Sequence, residues 1–275
     1  MPRRLRLATW NVNSLRLRAK HLARLVAEHK PDVLCLQEIK VADDAFPHQT
    51  LRDLGFAHVA VAGQPMWHGV AIASTVPLER VTRRSWCGKD DARHIAVHLP
   101  GGIELHNFYV PAGGDIPDPV ANDKFAHKLG FLDEMTAFFA ASNGKSGGGR
   151  GAGKSRLVLV GDLNVAPLPT DVWSHKQLLK VVSHTPVEVA AFERLQASRR
   201  WVDAVRRFVP AERRLYTWWS YRAHDWEKSD RGRRLDHVWV TPALEGALRG
   251  AAVLKGWRGF EPASDHVPVV VELAL

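Results

Sequence analysis

The sequence has few cysteines and no long apolar run, and both shortages exclude classes of protein. Its two cysteines, Cys35 and Cys87, are too few for a disulfide framework, so we expect free thiols buried in apolar surroundings. No stretch approaches ~18 uninterrupted apolar residues, which argues against a membrane-spanning helix. The basic segment 1–10 also lacks the apolar core of a secretion signal, because Asn11, Asn13 and Ser14 interrupt it. We therefore expect a cytoplasmic protein without a membrane partner.

Acidic residues are in short supply relative to basic ones. The chain has 38 Lys and Arg against 29 Asp and Glu, a formal net charge of +9 and a pI near 9.8. An excess of positive charge favours a polyanionic partner such as nucleic acid. Charge alone is equally compatible with a basic protein that binds no nucleic acid, so this observation leaves both interpretations open.

Short apolar runs alternate with helical patterns along the chain. The apolar runs predict strands at Leu5–Val12, Val33–Ile39, Gly69–Ser74, Ile95–Leu99, Ile103–Val110, Leu157–Val160, Leu235–Val240 and Val267–Leu273. An amphipathic helix marked by Leu15, Leu22, Leu25 and Val26 follows the first strand, and a longer helix spans Asp123–Ala141. This mixture predicts an α/β layered protein, with sheets inside and helices outside.

One segment of low complexity, residues 143–155, reads NGKSGGGRGAGKS. Such a Gly-rich segment predicts a flexible, solvent-exposed surface loop. Residues 148–155 also match G-x-x-x-x-G-K-[ST], the phosphate-binding P-loop. A P-loop needs a strand before it and a helix after it, so that the helix N-terminus faces the phosphate. Here a predicted helix precedes the segment and a strand follows it, so we interpret the match as chance.

Polar residues recur where the predicted strands begin or end. They are Asn11, Glu38, Asp162, Asn164, Asp236 and the pair Asp265-His266. In α/β proteins functional groups collect at strand ends, because the loops there can present them together. Asp162 and Asn164 are two residues apart and would project from one face if the strand pattern continued through them. Any one of these residues alone is explained as a helix cap or turn residue.

As a set, these residues indicate metal-assisted chemistry. Apart from Asp236, three carboxylates and two amides form an oxygen-rich group that suits a hard cation such as Mg²⁺. The absence of thiolate ligands argues against a structural zinc site. His266, with Asp236 as a candidate orienting partner, supplies a group that can titrate near neutral pH.

Seven short motifs resemble those of the exonuclease III family of AP endonucleases, in the family's order. They are Trp10–Arg16, Gln37–Lys40, Asn107–Pro111, Gly161–Pro167, Tyr216–Arg222, Arg234–Asp236 and Ser264–Val269. The motifs span residues 10–269, so the resemblance covers nearly the whole chain. It implies a single domain over residues 1–275 with the endonuclease/exonuclease/phosphatase, DNase I-like fold. That fold is a layered sandwich of two packed mixed β-sheets flanked by helices.

The resemblance also implies roles for the polar residues. The metal ligands would be Asn11, Glu38, Asp162, Asn164, Asp265 and His266, and the metal would be Mg²⁺, for which Mn²⁺ would substitute. The catalytic residues would be Tyr109, Asp162, Asn164, Asp236 and His266. A divalent ion neutralises phosphodiester charge while a positioned base frees the attacking water. The resemblance leaves open whether Asp162 or His266 is that base.

Contacts with DNA are expected near the segment 199–234, which contains eleven Lys and Arg against five Asp and Glu. Seven aromatic residues lie among these charges, and about half of them would be core residues. The resemblance implies that Trp218 and Leu235 wall a pocket for a flipped-out abasic sugar, and it places DNA contacts at Arg93 and Arg222. The sequence departs from relatives at Ala112, where they often carry Asn or Gln and this chain offers no side-chain hydrogen bond.

The function predicted from these observations is that of a Mg²⁺-dependent DNA-repair phosphodiesterase, an exodeoxyribonuclease III or AP endonuclease. It would act as a monomer on double-stranded DNA, cutting 5′ to abasic sites and removing nucleotides or blocking groups from 3′ ends. One alternative is a lipid or inositol phosphodiesterase of the same superfamily. It is disfavoured by the lack of a membrane-anchoring segment and by the motifs at Trp10–Leu15 and Trp218–Arg222. The other is a catalytically inactive DNA-binding protein, which is disfavoured because Glu38, Asp162 and His266 are all present.

Overall fold

Two six-stranded sheets occupy the interior of the protein, in a computed structural model that describes residues 4–141, 155–223 and 225–275. The strands are β1 (Leu5–Asn11), β2 (Val33–Gln37), β3 (His58–Ala62), β4 (Val70–Ser74), β5 (Glu79–Arg83), β6 (His94–Leu99), β7 (Ile103–Tyr109), β8 (Arg156–Asp162), β9 (Val202–Asp203), β10 (Trp218–Trp219), β11 (Gly232–Arg233), β12 (Asp236–Val240), β13 (Leu248–Val253) and β14 (Val269–Leu273). The helices are α1 (Ala19–His29), α2 (His48–Asp53), α3 (Asp123–Ala141), α4 (His175–Leu178), α5 (Pro186–Ser198), α6 (Trp226–Ser229) and α7 (Pro242–Glu245).

Sheet I has the strand order β13-β14-β1-β2-β4-β3, and sheet II has the order β5-β6-β7-β8-β12-β9. Each sheet contains one parallel pair, β1–β2 in sheet I and β7–β8 in sheet II, beside antiparallel pairs, so both sheets are mixed. The short strands β10 and β11 form a separate two-stranded ribbon. The predicted fold class, two packed mixed sheets with helices outside, is confirmed.

The alternation of side chains along β2 shows how sheet I is covered on both faces. Val33 and Cys35 point into the apolar core between the two sheets. Leu34 and Leu36 point the other way, into a second core that includes Leu22 and other residues of and around α1. Because successive residues of a strand face opposite sides, a strand buried on both faces is apolar throughout. This burial explains why β2 was recognisable as a continuous apolar run.

Helices α3 and α5 cover the outer face of sheet II, where their apolar residues share a core with β7, β8 and β12. Helix α3 has the bounds predicted from the sequence. Helix α5, which was not predicted, begins with a capping box. The Thr185 hydroxyl accepts a hydrogen bond from the Glu188 amide, and the Glu188 carboxylate accepts one from the Thr185 amide. Pro186 occupies the first turn, where its missing N–H costs nothing.

Some local predictions differ from the structure. Helix α1 begins at Ala19 rather than near Leu15, because the Leu15 amide donates to the Ile39 carbonyl and lies in a turn. Cys35 is buried as expected, but Cys87 is partly exposed next to Glu134. The predicted surface loop at 143–155 lies outside the described residues except for Ser155, and so does the P-loop match. Across the described ranges, no helix is long and apolar enough to cross a bilayer.

Candidate active site

The carboxyl ends of four central strands meet at one edge of the sheet sandwich. Asn11 ends β1, and Glu38 follows the neighbouring parallel strand β2. In sheet II, Tyr109 ends β7 and pairs in register with Asp162 at the end of the parallel strand β8. Strand β12 runs antiparallel and places Asp236, its first residue, opposite Asp162. Polar residues from distant parts of the chain therefore converge at one place because of the strand order.

The amide of Asn11 links the groups of this cluster. Its Nδ2 donates hydrogen bonds of 2.9 Å to Glu38 Oε1 and of 2.9 Å to Asp162 Oδ2, and it lies 3.4 Å from His266 Nε2. Ligand atoms of Glu38, Asp162 and His266 all lie within 4.8 Å of one another. Two carboxylates at this spacing could hold a divalent cation, with the imidazole of His266 beside them.

The electrostatics of the cluster differ from one carboxylate to the next. Burial raises the pKa of Glu38, but the hydrogen bond from Asn11 and the charge of Lys40 outweigh it and leave this pKa below its usual value. The Lys40 ammonium lies 3.0 Å from Glu38 Oε2. Burial raises the pKa of Asp162 above its usual value, although the nearby His266 opposes this effect. Asp162 is therefore the more basic of the two carboxylates.

His266 is held as a cation by two carboxylates. Burial lowers the pKa of His266, but the negative charges of Asp236 and Asp162 together raise it by more than burial lowers it. The net pKa therefore lies above the usual histidine value. Its Nδ1 lies 2.8 Å from Asp236 Oδ2, and its Nε2 lies 3.5 Å from Asp162 Oδ2. With Nδ1–H directed at Asp236, the Nε2–H faces the metal cluster and the cleft.

Asn164 reaches the site by a turn rather than by strand alternation. Strand β8 ends at Asp162, and Asn164 has a left-handed backbone with φ of 54°. Its backbone N–H donates to Asp162 Oδ1 at 3.0 Å, and its side-chain Nδ2 donates to the Val110 carbonyl at 2.9 Å. Asp162 and Asn164 were expected to project from one face only if the strand continued through them, and this condition is not met because β8 ends at Asp162. Glu38 also has a left-handed backbone, with φ of 50°.

Asp265 lies at the site but outside the group of three ligand candidates. Its Oδ1 accepts a hydrogen bond from Asn13 at 3.0 Å, and its Oδ2 accepts one from the indole Nε1 of Trp218 at 2.9 Å. The Asp265 carboxylate thus links Trp218, in the aromatic wall of the cleft, to Asn13, whose backbone is hydrogen-bonded to Asn11 of the polar cluster.

Tyr109 lines the cleft beside the cluster, and Arg93 stacks on its ring. Burial, followed by the charges of Glu38 and Asp162, raises the pKa of Tyr109 well above its usual value, so the phenol stays protonated. Arg93 lies over the tyrosine ring at 4.8 Å, forms an ion pair with Asp91 and places Nη2 2.7 Å from His68 Nε2. Of the two predicted DNA contacts, Arg93 is largely buried against Tyr109, whereas Arg222 lines the cleft.

A cleft of about 630 Å³ opens from the cluster towards an aromatic wall. Trp218 and Leu235, the residues expected to form that wall, both line it. Among the lining residues that the sequence analysis did not single out are Trp173, Arg231 and Arg233. Arg231 and Arg233 belong to the basic segment 199–234 and stand just before Leu235, which is a signal that could have identified them.

Comparisons with known proteins agree with this geometry. Residues 8–266 match the sequence profile of the Endonuclease/Exonuclease/phosphatase family. Exodeoxyribonuclease III of Haemophilus influenzae is 29% identical over 275 aligned residues, covering 96% of this chain and 98% of that protein. An AP endonuclease structure from Archaeoglobus fulgidus superposes with a TM-score of 0.87 at 30% identity, covering 98% of this chain and 100% of the other. A 3′ phosphatase from Neisseria, bound to a product DNA hairpin, superposes with a TM-score of 0.87 at 31% identity and the same coverage.

Proposed function

The chain belongs to the endonuclease/exonuclease/phosphatase family and is a phosphodiester hydrolase of the exonuclease III type, and we propose that its substrate is damaged duplex DNA. It would cut the backbone 5′ to abasic sites and remove nucleotides or blocking groups from 3′ ends. The phosphate would stay with the residue on the 3′ side of the cut, and a 3′-hydroxyl would be released. One observation carries this proposal: the cluster of Glu38, Asp162 and His266 opens directly into a cleft with an aromatic and basic wall.

The donor set at the cluster fits a hard divalent cation, and we propose Mg²⁺, with Mn²⁺ as a substitute. Glu38 and Asp162 supply carboxylate oxygens, and the low pKa of Glu38 keeps its carboxylate ionised at neutral pH. Asn164 and Asp265 would offer further oxygen ligands, whereas Asn11 presents its amide nitrogen to both carboxylates and would hold them in place. When bound, the ion would neutralise charge on the phosphodiester and polarise its oxygens.

Different side chains of the protein would then remove the proton from water, contact the phosphate and assist the departing oxygen. Asp162, whose carboxylate lies beside Glu38 and His266 at the mouth of the cleft, would accept a proton from the attacking water. The imidazolium of His266, oriented by Asp236, would donate a hydrogen bond to a non-bridging phosphate oxygen. The protonated Tyr109 would contact the phosphate or assist the departing 3′ oxygen.

Recognition of DNA would lie in the cleft wall. We assign Trp218 and Leu235 to the pocket that accepts a flipped-out abasic sugar, and Arg222, exposed at the rim, to a backbone phosphate. We also propose that the enzyme acts as a monomer, because a single chain supplies both the polar cluster and the wall of the cleft.

Cleavage of end-labelled duplexes tests the proposal. One duplex carries a tetrahydrofuran abasic analogue and another is blunt and undamaged, each with Mg²⁺ or with EDTA. We expect cleavage 5′ to the analogue with Mg²⁺ and none with EDTA. Glu38→Ala should need far more Mg²⁺ for half-maximal rate, whereas Glu28→Ala, an exposed control, should not.

Two results would contradict the proposal. Undiminished cleavage in EDTA would exclude the metal-assisted chemistry. Faster hydrolysis of sphingomyelin or of an inositol phosphate than of abasic DNA would show that the substrate is a lipid or inositol phosphodiester.

A further inference from the structure

Two side chains, Arg93 and His68, contact the ring of Tyr109, which lines the cleft. The guanidinium carbon of Arg93 lies 4.8 Å from the centre of the tyrosine ring, and the centre of the His68 ring lies 5.9 Å from it. Arg93 also contacts the main chain of the tyrosine. The Tyr109 amide donates to the Arg93 carbonyl at 2.8 Å, and Arg93 Nη1 donates to the Tyr109 carbonyl at 3.3 Å. These contacts restrict both the backbone and the ring of the tyrosine.

The guanidinium of Arg93 has a protein acceptor at each of its nitrogens. Its Nε pairs with the carboxylate of Asp91, its Nη1 donates to the Tyr109 carbonyl, and its Nη2 donates to His68 Nε2 at 2.7 Å. The side chain is only 8% exposed. An arginine that binds a DNA phosphate needs donors that point to the surface. The contacts of Arg93 therefore favour a role inside the protein over the DNA contact expected from the sequence.

His68 is the acceptor for Arg93, and this contact defines its tautomer. A guanidinium can only donate hydrogen bonds, so Nε2 of His68 carries the lone pair and Nδ1 carries the proton. The Nδ1–H then faces Gln64 Oε1, which lies 3.0 Å away and can accept it. Burial, followed by the charge of Arg93, lowers the pKa of His68 from 6.5 to about 4, so the ring is neutral at neutral pH. The half-buried imidazole is thus a neutral bridge between Gln64 and Arg93.

A cation over a tyrosine ring affects both the position and the chemistry of the phenol. The attraction between the charge and the ring face opposes movement of the ring away from the cation. Burial and the nearby carboxylates raise the pKa of Tyr109, whereas the charge of Arg93 lowers it. Loss of the Arg93 charge would therefore leave the phenol less firmly placed and a weaker hydrogen-bond donor to a phosphate oxygen.

We propose that Arg93 and His68 are positioning residues for Tyr109, and that Arg93 acts on the reaction through the tyrosine rather than by binding the DNA backbone. This inference rests on the proposed function, in which the phenol contacts the phosphate or assists the departing 3′ oxygen. His68 keeps Arg93 in place, because its Nε2 accepts the hydrogen bond that orients the guanidinium. Loss of any one of the three side chains should therefore impair the same step.

A double-mutant cycle on cleavage of the tetrahydrofuran duplex tests this arrangement. Tyr109→Phe keeps the ring but removes the hydroxyl and should lower kcat. Arg93→Gln should lower kcat about 10-fold, with a smaller change in KM. In the Tyr109→Phe enzyme the further effect of Arg93→Gln should shrink to less than about 2-fold, since the effects of residues that act as a unit are not additive. Effects that multiply would show that Arg93 acts independently of Tyr109 and would overturn the inference.

The salt dependence of DNA binding separates a positioning residue from a phosphate contact. Each phosphate contact contributes about 0.9 to the slope of log Kd against the logarithm of salt concentration. Arg93→Gln should leave this slope unchanged, whereas Arg222→Gln, the matched variant at the exposed rim, should reduce it by about that amount. A reduced slope in Arg93→Gln would mean that Arg93 binds the backbone, and the inference would be wrong.

Two variants of His68 keep the inference testable if Arg93→Gln does not fold. His68→Gln can still accept a hydrogen bond from Arg93 and should retain most of the rate. His68→Leu cannot, and it should lose kcat several-fold, with little further loss in the Tyr109→Phe enzyme. Equal rates in the two His68 variants would overturn the inference, and so would a full rate in Tyr109→Phe. Failure of the unmodified enzyme to cut the duplex would instead contradict the proposed function.

Discussion

At the scale of single residues, the imidazole of His266 is held from behind by Asp236, whose Oδ2 lies 2.8 Å from Nδ1. Asp236 is fully buried and does not line the cleft, so it acts on the reaction only through the imidazole. Its negative charge is the largest of the effects that raise the pKa of His266. A carboxylate in this position sets both the direction of the ring and its charge.

Asp236→Asn tests this positioning role. An amide still accepts a hydrogen bond from Nδ1 but carries no charge, so the pKa of His266 should fall. We expect kcat for abasic duplex to drop about 10- to 100-fold with a smaller change in KM. In the proposed mechanism His266 acts in its protonated form, so activity should be lost as pH rises through its pKa. The alkaline limb of the kcat profile should therefore move to lower pH.

The control for this variant is Asp133→Asn, which removes an exposed carboxylate on α3. It should keep the unmodified rate and profile. An Asp236→Asn enzyme with an unshifted alkaline limb would show that the carboxylate does not set the charge of His266.

At the scale of secondary-structure elements, a buried ion pair joins α3 to α5 beneath the active site. Lys128 on α3 and Glu188 on α5 are both fully buried and contact each other directly. The Lys128 ammonium also donates to the Asn164 carbonyl at 2.7 Å and to the Ala112 carbonyl at 3.3 Å. Burial lowers the pKa of Lys128, and Glu188 opposes this effect. The pair thus fixes the two helices to the turn that carries Asn164.

Lys128→Met should destabilise the protein strongly, because it leaves the Glu188 carboxylate buried without a counter-charge. Breaking such a pair costs about 3–5 kcal/mol. The double variant Lys128→Met/Glu188→Gln should recover much of this loss, since the glutamine is neutral and can still accept the Thr185 amide of the capping box. Urea unfolding of both variants measures the two free energies. A double variant as unstable as Lys128→Met would show that the lost ammonium hydrogen bonds dominate.

Elements were predictable from the sequence where both faces of a strand are apolar, as in β2 and β8. Strand β5 was missed because all five of its residues are exposed at the edge of sheet II, so it has no apolar pattern. Helix α5 was missed although its capping box at Thr185 and Glu188 is legible in the sequence. Its buried residues mix with polar ones and give only a weak helical period.

The candidate site was partly predictable for a similar reason. Polar residues at the ends of apolar strands stand out, which identified Asn11, Glu38 and Asp162. The left-handed backbone that turns Asn164 into the site leaves no mark in a single sequence. The place of Arg233 in the cleft wall was also hidden, because a sequence does not show which of two adjacent arginines faces the cleft.

At the scale of the whole molecule, buried histidines tie global stability to pH. His237 lies in the interior with Nε2 2.8 Å from the Val165 carbonyl, and its Nδ1 is buried without a partner. Burial, reinforced by the charge of Arg234, lowers its pKa from 6.5 to about 3. The folded protein therefore keeps this imidazole neutral over a range where an unfolded chain protonates it.

His237→Gln should weaken the dependence of stability on pH. Between pH 6.5 and about 3 the unfolded state binds the proton and the folded state does not, so stability is lost as pH falls through this range. One such group contributes up to about 1.4 kcal/mol per pH unit. The glutamine retains an N–H for the Val165 carbonyl. Urea unfolding at pH 7.5 and at pH 5 should show a smaller difference than in the unmodified protein. His58→Gln, a half-exposed control, should retain the full difference.

The ribbon of β10 and β11 is attached to the residues of the metal cluster by backbone hydrogen bonds. Trp218 pairs with Arg233 on one side and with His266 on the other, and the Trp219 amide donates to the Asp265 carbonyl at 2.9 Å. Trp218, proposed to receive the 3′ part of the substrate, and His266, proposed to contact the phosphate, are thus parts of one main-chain hydrogen-bond network. The backbone pairing restricts how far these two groups can move relative to each other. A lesion seated against Trp218 would then select the phosphate that lies at the polar cluster.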